Sequence, residues 1–272
     1  MRVIIDKIFQ IFTLSVAIFV SIILIFILFQ LIKDGISSLS LNFFIESARP
    51  VGANSGGFKQ AILGSLIIDS IAMLIIVFLS ILGGLFLYVY PETLLSKILK
   101  ESMSLLQGTP TIVCGICVYY ILVRSMGHFS GLAGSVALAL VGIPYMVLAS
   151  EQIFSMTPTL LLEAAYSLGL SRTRVILYVV LKFAKFPLLA ISLLTLARIA
   201  GETAPLLFTA FGNSFLELNP LRPMAAIPLQ IYVYAISPYD EWHRLAWAGA
   251  LILIAFVTVL SLILGRYRRL GE

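Results

Sequence analysis

Apolar positions along this chain fall into long unbroken blocks. They show neither the alternation of a half-buried strand nor the single stripe of a surface helix. Residues 8–32 carry no charge over 25 positions. A helix rises about 1.5 Å per residue, so about 20 residues cross the ~30 Å hydrocarbon layer of a bilayer. A cleaved signal peptide has a shorter apolar core and a small-residue cleavage site, so this block predicts a retained first span. Later blocks predict spans at about 61–88, 108–123, 131–150, 187–210 and 245–265. Irregular backbone facing lipid leaves polar groups unsatisfied, so six helices and an all-α integral membrane bundle are expected. The chain divides into residues 1–60, a first span with its outer loop, and residues 61–272, spans two to six.

Composition sharpens the class. Of the 272 residues, 60% are apolar and 11% charged, and the mean hydropathy is +1.07. Soluble domains are about a quarter charged. The balance excludes a disordered chain and a nucleic-acid module and argues against a soluble enzyme, and two cysteines exclude a disulfide scaffold.

The basic residues give an orientation. With the N-terminus inside, Arg2, Lys7, Lys97, Lys100, Arg172, Arg174, Lys182, Lys185, Arg266, Arg268 and Arg269 lie in the cytoplasm. Lys33, Arg49, Lys59, Arg124, Arg222 and Arg244 lie outside, and Arg198 falls within a span. The excess places both termini in the cytoplasm. The Arg266, Arg268, Arg269 cluster is expected to anchor the last span at an anionic leaflet.

Two polar features stand out against this background. The first is the inner stretch 151–186. Thr157 and Pro158 read as an N-cap and a first-turn proline. Leu161, Leu162, Ala165 and Leu168 follow at helical spacing, Gly169 suits a left-handed C′ position, and Ser171 suits the cap of the next helix. A short helix, a sharp turn and a second helix result, which by pattern alone also fits an amphipathic connector on the bilayer surface.

The second feature lies in the fifth block. Arg198 and Glu202 are four apart, so a continuous helix places both on one face. A charge at mid-membrane costs roughly 2.5–3.5 kcal/mol on insertion scales. Either the two neutralise each other, or Arg198 meets an anionic solute with its planar fork of donors while Glu202 holds or releases it. Gly201, Thr203 and Pro205 permit a bend beside them.

The inner loop reads Glu163-Ala164-Ala165, three residues, Gly169, nine residues, Val179, one residue, Leu181. This resembles the EAA loop of bacterial ATP-binding-cassette importer permeases, with Lys182 where that family closes on proline. The run from Gly201 to Asn213, GETAPLLFTAFGN, resembles PstA-type permeases of phosphate-specific importers. Three other stretches agree: Gly108-Thr109-Pro110-Thr111-Ile112-Val113-Cys114-Gly115; Gly56-Gly57-Phe58 with Ala61-Ile62-Leu63-Gly64-Ser65; and the outer run from Asn219 to Tyr239. The resemblance covers about residues 55–270. It implies a six-span permease core in which Glu163, Ala164, Ala165 and Gly169 form a coupling helix docking on a separate ATPase. It further implies that Arg198, Glu202 and Thr203 belong to a phosphate pathway. The implied partners are a PstC-type sister permease, a PstB-type ATPase dimer and a PstS-type phosphate-binding protein, with no cofactor and no metal. A same-fold permease for another oxyanion or small solute, and a non-transporting membrane scaffold, are the rival readings.

Other features are discounted. Cys114 and Cys117 share a face of span three but lack further zinc ligands, so packing is expected. The stretch GANSGGFK has Phe58 where a P-loop needs lysine, and the chain is expected not to hydrolyse ATP itself. His128 and His243 are expected in solvated outer loops. Asp69 sits either at headgroup level or against a partner inside the bundle. Pro220, Pro223, Pro228 and Pro238 exclude one long outer helix and predict a short docking loop or half-helix.

Overall fold

A computed structural model describes residues 2–50, 52 and 56–270, except for the side chains of 2–5, 8 and 264–270. The Arg2, Arg266, Arg268 and Arg269 side chains therefore lie outside the described residues, as do Ala53, Asn54 and Ser55 of the GANSGGFK stretch. The described residues are almost entirely helical. In chain order they form α1 (Arg2–Ser38), α2 (Leu41–Ile45), α3 (Lys59–Val89), α4 (Leu94–Gly108) and α5 (Thr111–Met126). There follow α6 (Gly131–Ser155), α7 (Thr159–Ser167), α8 (Arg172–Ile199), α9 (Ala204–Leu207), α10 (Ile227–Ala235) and α11 (Asp240–Leu270). Five helices are long and apolar enough to cross a membrane, and a sixth span arises when the bent pair α4 and α5 is taken as one.

The centre of the bundle is α3 lying along α6. Lipid tails are as apolar as leucine, so helices in a membrane associate through close packing and interhelical hydrogen bonds. Small residues make that possible here. A Cβ at Gly84 would lie 2.5 Å from the Cβ of Ser150, and one at Gly142 would lie 2.5 Å from Ile76 Cδ1. The Ser135 hydroxyl donates to the Ile68 carbonyl at 3.0 Å, and Ser80 donates to Ile143 at 3.3 Å. Ile68 and Ile76 of α3, Leu138 and Met146 of α6, Ile199 and Leu206 fill the core between them.

At one end of the bundle an aromatic cluster ties α2 and α10 to α11. Phe43 stacks on Phe58 at 4.9 Å between centroids, and Tyr234 stacks on Trp242 at 4.7 Å. The proline-rich run resolves as expected into irregular chain and the short α10, which has Pro228 in its first turn. Before it, the Glu217 carboxylate is held below the usual carboxylate range, first by the Asn219 N–H and then by Arg222. This turn aims the Pro220 and Arg222 carbonyls at the first N–H groups of α6, those of Leu132 and Gly131.

The four stretches that carried the family resemblance meet here in pairs. A Cβ on Gly64 would collide with the Ala225 carbonyl oxygen, and the Ser65 hydroxyl accepts from the Ile227 N–H at 2.8 Å. A Cβ on Gly115 would lie 2.6 Å from Pro205 Cα. Each glycine therefore admits a turn of distant backbone.

The first, third and fifth spans depart most from the sequence expectation. α1 continues past Ile32 to Ser38, with the Gln30 amide donating to Asp34, because the loss of apolar character does not itself break a helix. It leans on α11 where Gly35 meets Leu251, and its remaining apolar length is exposed. The third span begins at a break: α4 and α5 meet at 108°, with Thr109 extended before Pro110 as proline demands of its predecessor. The fifth span starts at Arg172 instead of 187 and stops at Ile199 instead of 210.

Gly64→Ala is expected to destabilise the bundle by about 1–3 kcal/mol, the usual cost of overpacking. Gly108→Ala, where nothing lies within 4 Å of the added carbon, should change stability by less than about 0.5 kcal/mol. Thermal unfolding of the two purified variants side by side checks the difference.

Candidate functional site

The inner loop has the expected helix–turn–helix form. α7 ends in a full Schellman arrangement: Gly169 adopts φ +77°, its N–H bonds the Tyr166 carbonyl, and the Leu170 N–H bonds Ala165. The start differs. Pro158, not Thr157, occupies the cap position, and the buried Thr157 hydroxyl has no partner. Ser171 does cap the next helix by position, but its hydroxyl bonds no backbone N–H there. Glu163 and Ala164 face outward, whereas Ala165 is buried against the chain itself, so only one of the two alanines is free to meet another protein. The exposed surface of α7 and its turn is completed by Leu160 and Leu168, 75% and 82% exposed.

This loop is fixed to the end of α3. The Arg172 guanidinium donates to the Val89 carbonyl at 2.6 Å and lies 5.3 Å from the Tyr90 ring centre. Val89 is the last residue of α3, where carbonyls lack helical partners, so the contact caps that terminus.

Arg198 and Glu202 do not share a helical face. α8 ends at Ile199, and the Gly201 and Glu202 N–H groups bond back to Arg198 and Ile199 in a tight turn. Pro205 then opens α9, with Thr203 at the cap position. The four-residue spacing failed as a guide because Gly201 and Pro205 stop the helix between and beyond the two charges. No ion pair joins them among the described residues, and Arg198 lies instead over the ring of Tyr145, 3.9 Å from its centre.

A cavity of about 650 Å³ opens beside Arg198. It lies between α4, α6, α8 and α11, with Gln107, Tyr145, Gln152, Thr195, Arg198 and Ser261 supplying its polar groups. Among the described residues Arg198 is the one charged side chain on its lining, and Glu202 and Thr203 are not part of it. One cation, two amides and hydroxyls, with no carboxylate, form a chemistry suited to an anion that both accepts and donates hydrogen bonds. The sequence reading missed Tyr145, Gln107 and Gln152. Glutamines within or beside apolar helices were the available signal.

The discounted residues separate. Cys114 is buried and Cys117 exposed, both as free thiols. His128 sits in an exposed loop, but His243 lies on α11, its Nε2 2.7 Å from the Ser237 carbonyl. Asp69 is half-buried on α3 and makes no ion pair among the described residues.

A multi-pass helical bundle with an outward-facing Glu163-Ala164 helix and a cavity lined by polar groups among apolar ones describes a membrane permease. The family described as binding-protein-dependent transport system inner membrane component matches residues 80–270. The phosphate transport system permease protein PstA of Pasteurella multocida strain Pm70 is 41% identical over 237 residues, covering 87% of this chain and 84% of that protein. A probable phosphate transport system permease protein PstA of Methanocaldococcus jannaschii is 40% identical over 208 residues, covering 76% and 74%. The chain belongs to this PstA family of transport system permeases. Its fold is that of a chain in the MetNI methionine ABC transporter in an inward-facing conformation: the TM-score is 0.62 at 16% identity, over 78% of this chain and 96% of that one.

Gly169→Ala places a side chain in the left-handed region with no steric contact nearby, so the cost is purely backbone strain, about 1–2 kcal/mol. The expected result is faster limited proteolysis between Ser167 and Ser171, with the overall thermal midpoint little changed.

Proposed function

We propose that this chain is the permease subunit of an ATP-driven importer and forms half of the pathway for inorganic phosphate across the bacterial cytoplasmic membrane. The observation that carries this reading is the cavity in which Arg198 is the sole charge among the described residues. The relatives named as phosphate transport permeases support phosphate as the solute. Guanidinium matches phosphate oxygens two at a time, and the amides of Gln107 and Gln152 serve both P–O and P–OH groups.

Residues 61–272 form the permease core in this reading, with residues 1–60 as the first span and outer loop, and both termini cytoplasmic. A PstC-type sister permease completes the pathway. A PstB-type ATPase dimer docks on the outward face of α7 through Glu163, Ala164 and the apolar surface around them. Gly169 sets that helix's direction, and Ala165 holds it to its own chain. A PstS-type protein delivers phosphate from outside. ATP binding closes the ATPase dimer and moves α7. The spans rock to admit phosphate, and hydrolysis returns them to the inward state. Glu202 and Thr203, at the break between α8 and α9, meet the pathway as that break shifts. A site that is too strong for its ion does not release it, and a single Arg without a second cation keeps binding transient.

Labelled phosphate uptake by vesicles holding all four components, with sulfate as competitor, tests the reading. A charge-assisted hydrogen bond to the solute is worth about 1.5–3 kcal/mol. Arg198→Ala should therefore lower uptake at least about tenfold while the complex still assembles, and full uptake would remove Arg198 from the pathway. Equal inhibition by sulfate and phosphate would point to a broader oxyanion carrier. Glu163→Lys should leave the permease folded but reduce co-purification with the ATPase and transport with it.

A further inference from the structure

We infer that Tyr145 is a positioning residue for Arg198: its ring holds the guanidinium in place without neutralising it. The inference rests on the phosphate reading of the cavity. Arg198 is exposed on this chain, near the end of the membrane-spanning helix α8, and a cation on a membrane span needs a partner. Among the described residues Arg198 has no carboxylate partner, and its guanidinium lies on the face of Tyr145, 3.9 Å from the ring centre. The choice of partner has a chemical consequence. A carboxylate would occupy the N–H donors and cancel the charge, so an arriving anion would have to displace it. An aromatic face attracts the cation through its quadrupole and leaves the N–H groups at the edge of the guanidinium plane free.

Tyr145 is itself fixed from two directions. It follows Pro144 near the middle of α6, and its hydroxyl donates to the Gln107 carbonyl at 3.4 Å. Gln107 is the penultimate residue of α4, immediately before the 108° bend into α5. Both Gln107 and Tyr145 line the cavity with Arg198. The bond is long, so the ring and not the hydroxyl carries the positioning.

The test uses the complete importer in vesicles at saturating loaded binding protein, with phosphate uptake and ATP hydrolysis measured together. Tyr145→Leu and Tyr145→Met remove the aromatic face while keeping an apolar side chain. They are expected to lower phosphate moved per ATP about tenfold, with hydrolysis within about twofold of the parent. Tyr145→Phe and Tyr145→Trp keep the face and should stay within about twofold on both measures. A merely structural role would lower uptake and hydrolysis together and would not distinguish Phe from Leu. The inference is overturned by an unchanged ratio in Leu and Met, by Phe behaving as Leu does, or by failure of both Leu and Met to assemble. Parent vesicles that take up no phosphate would overturn the underlying reading itself, a result visible before any variant is compared.

Discussion

Everything in this bundle depends on how closely α3 approaches α6. In water, apolar faces are driven together whatever their detailed shape. In lipid that drive is absent, and contact must come from fit and from polar groups that find each other. Gly84 and Gly142 bring the two helices close enough for fit, and Ser80 and Ser135 then reach the opposing backbone. The same device recurs at the other contacts, where Gly64 receives Ala225 and Gly115 receives Pro205. The elements that bend, break and turn are mounted on this rigid pair.

The breaks are where chemistry is available. A continuous helix satisfies its own backbone and offers a solute nothing but side chains. α4 and α5 bend at Thr109 and Pro110, and α8 stops before Gly201. Non-helical backbone in a membrane protein is tolerated where protein or a water-filled cavity covers it. Gln107 and Arg198, each near one of these breaks, face the same cavity. Helix ends thus bring polar groups to the cavity without a charged residue on every span.

The sequence was a good guide where one residue decides the local backbone. Gly169 was legible as a left-handed C′ residue because almost nothing else adopts that conformation cheaply, and the prolines of the outer run correctly excluded a long helix. Hydropathy located the spans but not their ends, as α1 and α8 show, because a helix continues past its apolar part until something stops it. The Arg198–Glu202 pairing was misread through assuming a continuous helix across Gly201. The site itself was half legible. Arg198 announces itself as a charge in an apolar block, but Tyr145 and Gln107 join it only through tertiary folding. Gln107 is flagged by its amide beside an apolar block, but neither its separation from Arg198 nor that of Tyr145 foretells the meeting.

The bond from Arg172 to the Val89 carbonyl bears on mechanics. A load applied at the outward surface of α7 meets a stiff reversal at Gly169 and then a guanidinium clamped to the end of α3. Little of the displacement is lost in slack chain. In the proposed coupling, α7 and its turn are tied to α3 as one piece through this bond, and the chain is interrupted elsewhere at Thr109–Pro110 and at Gly201.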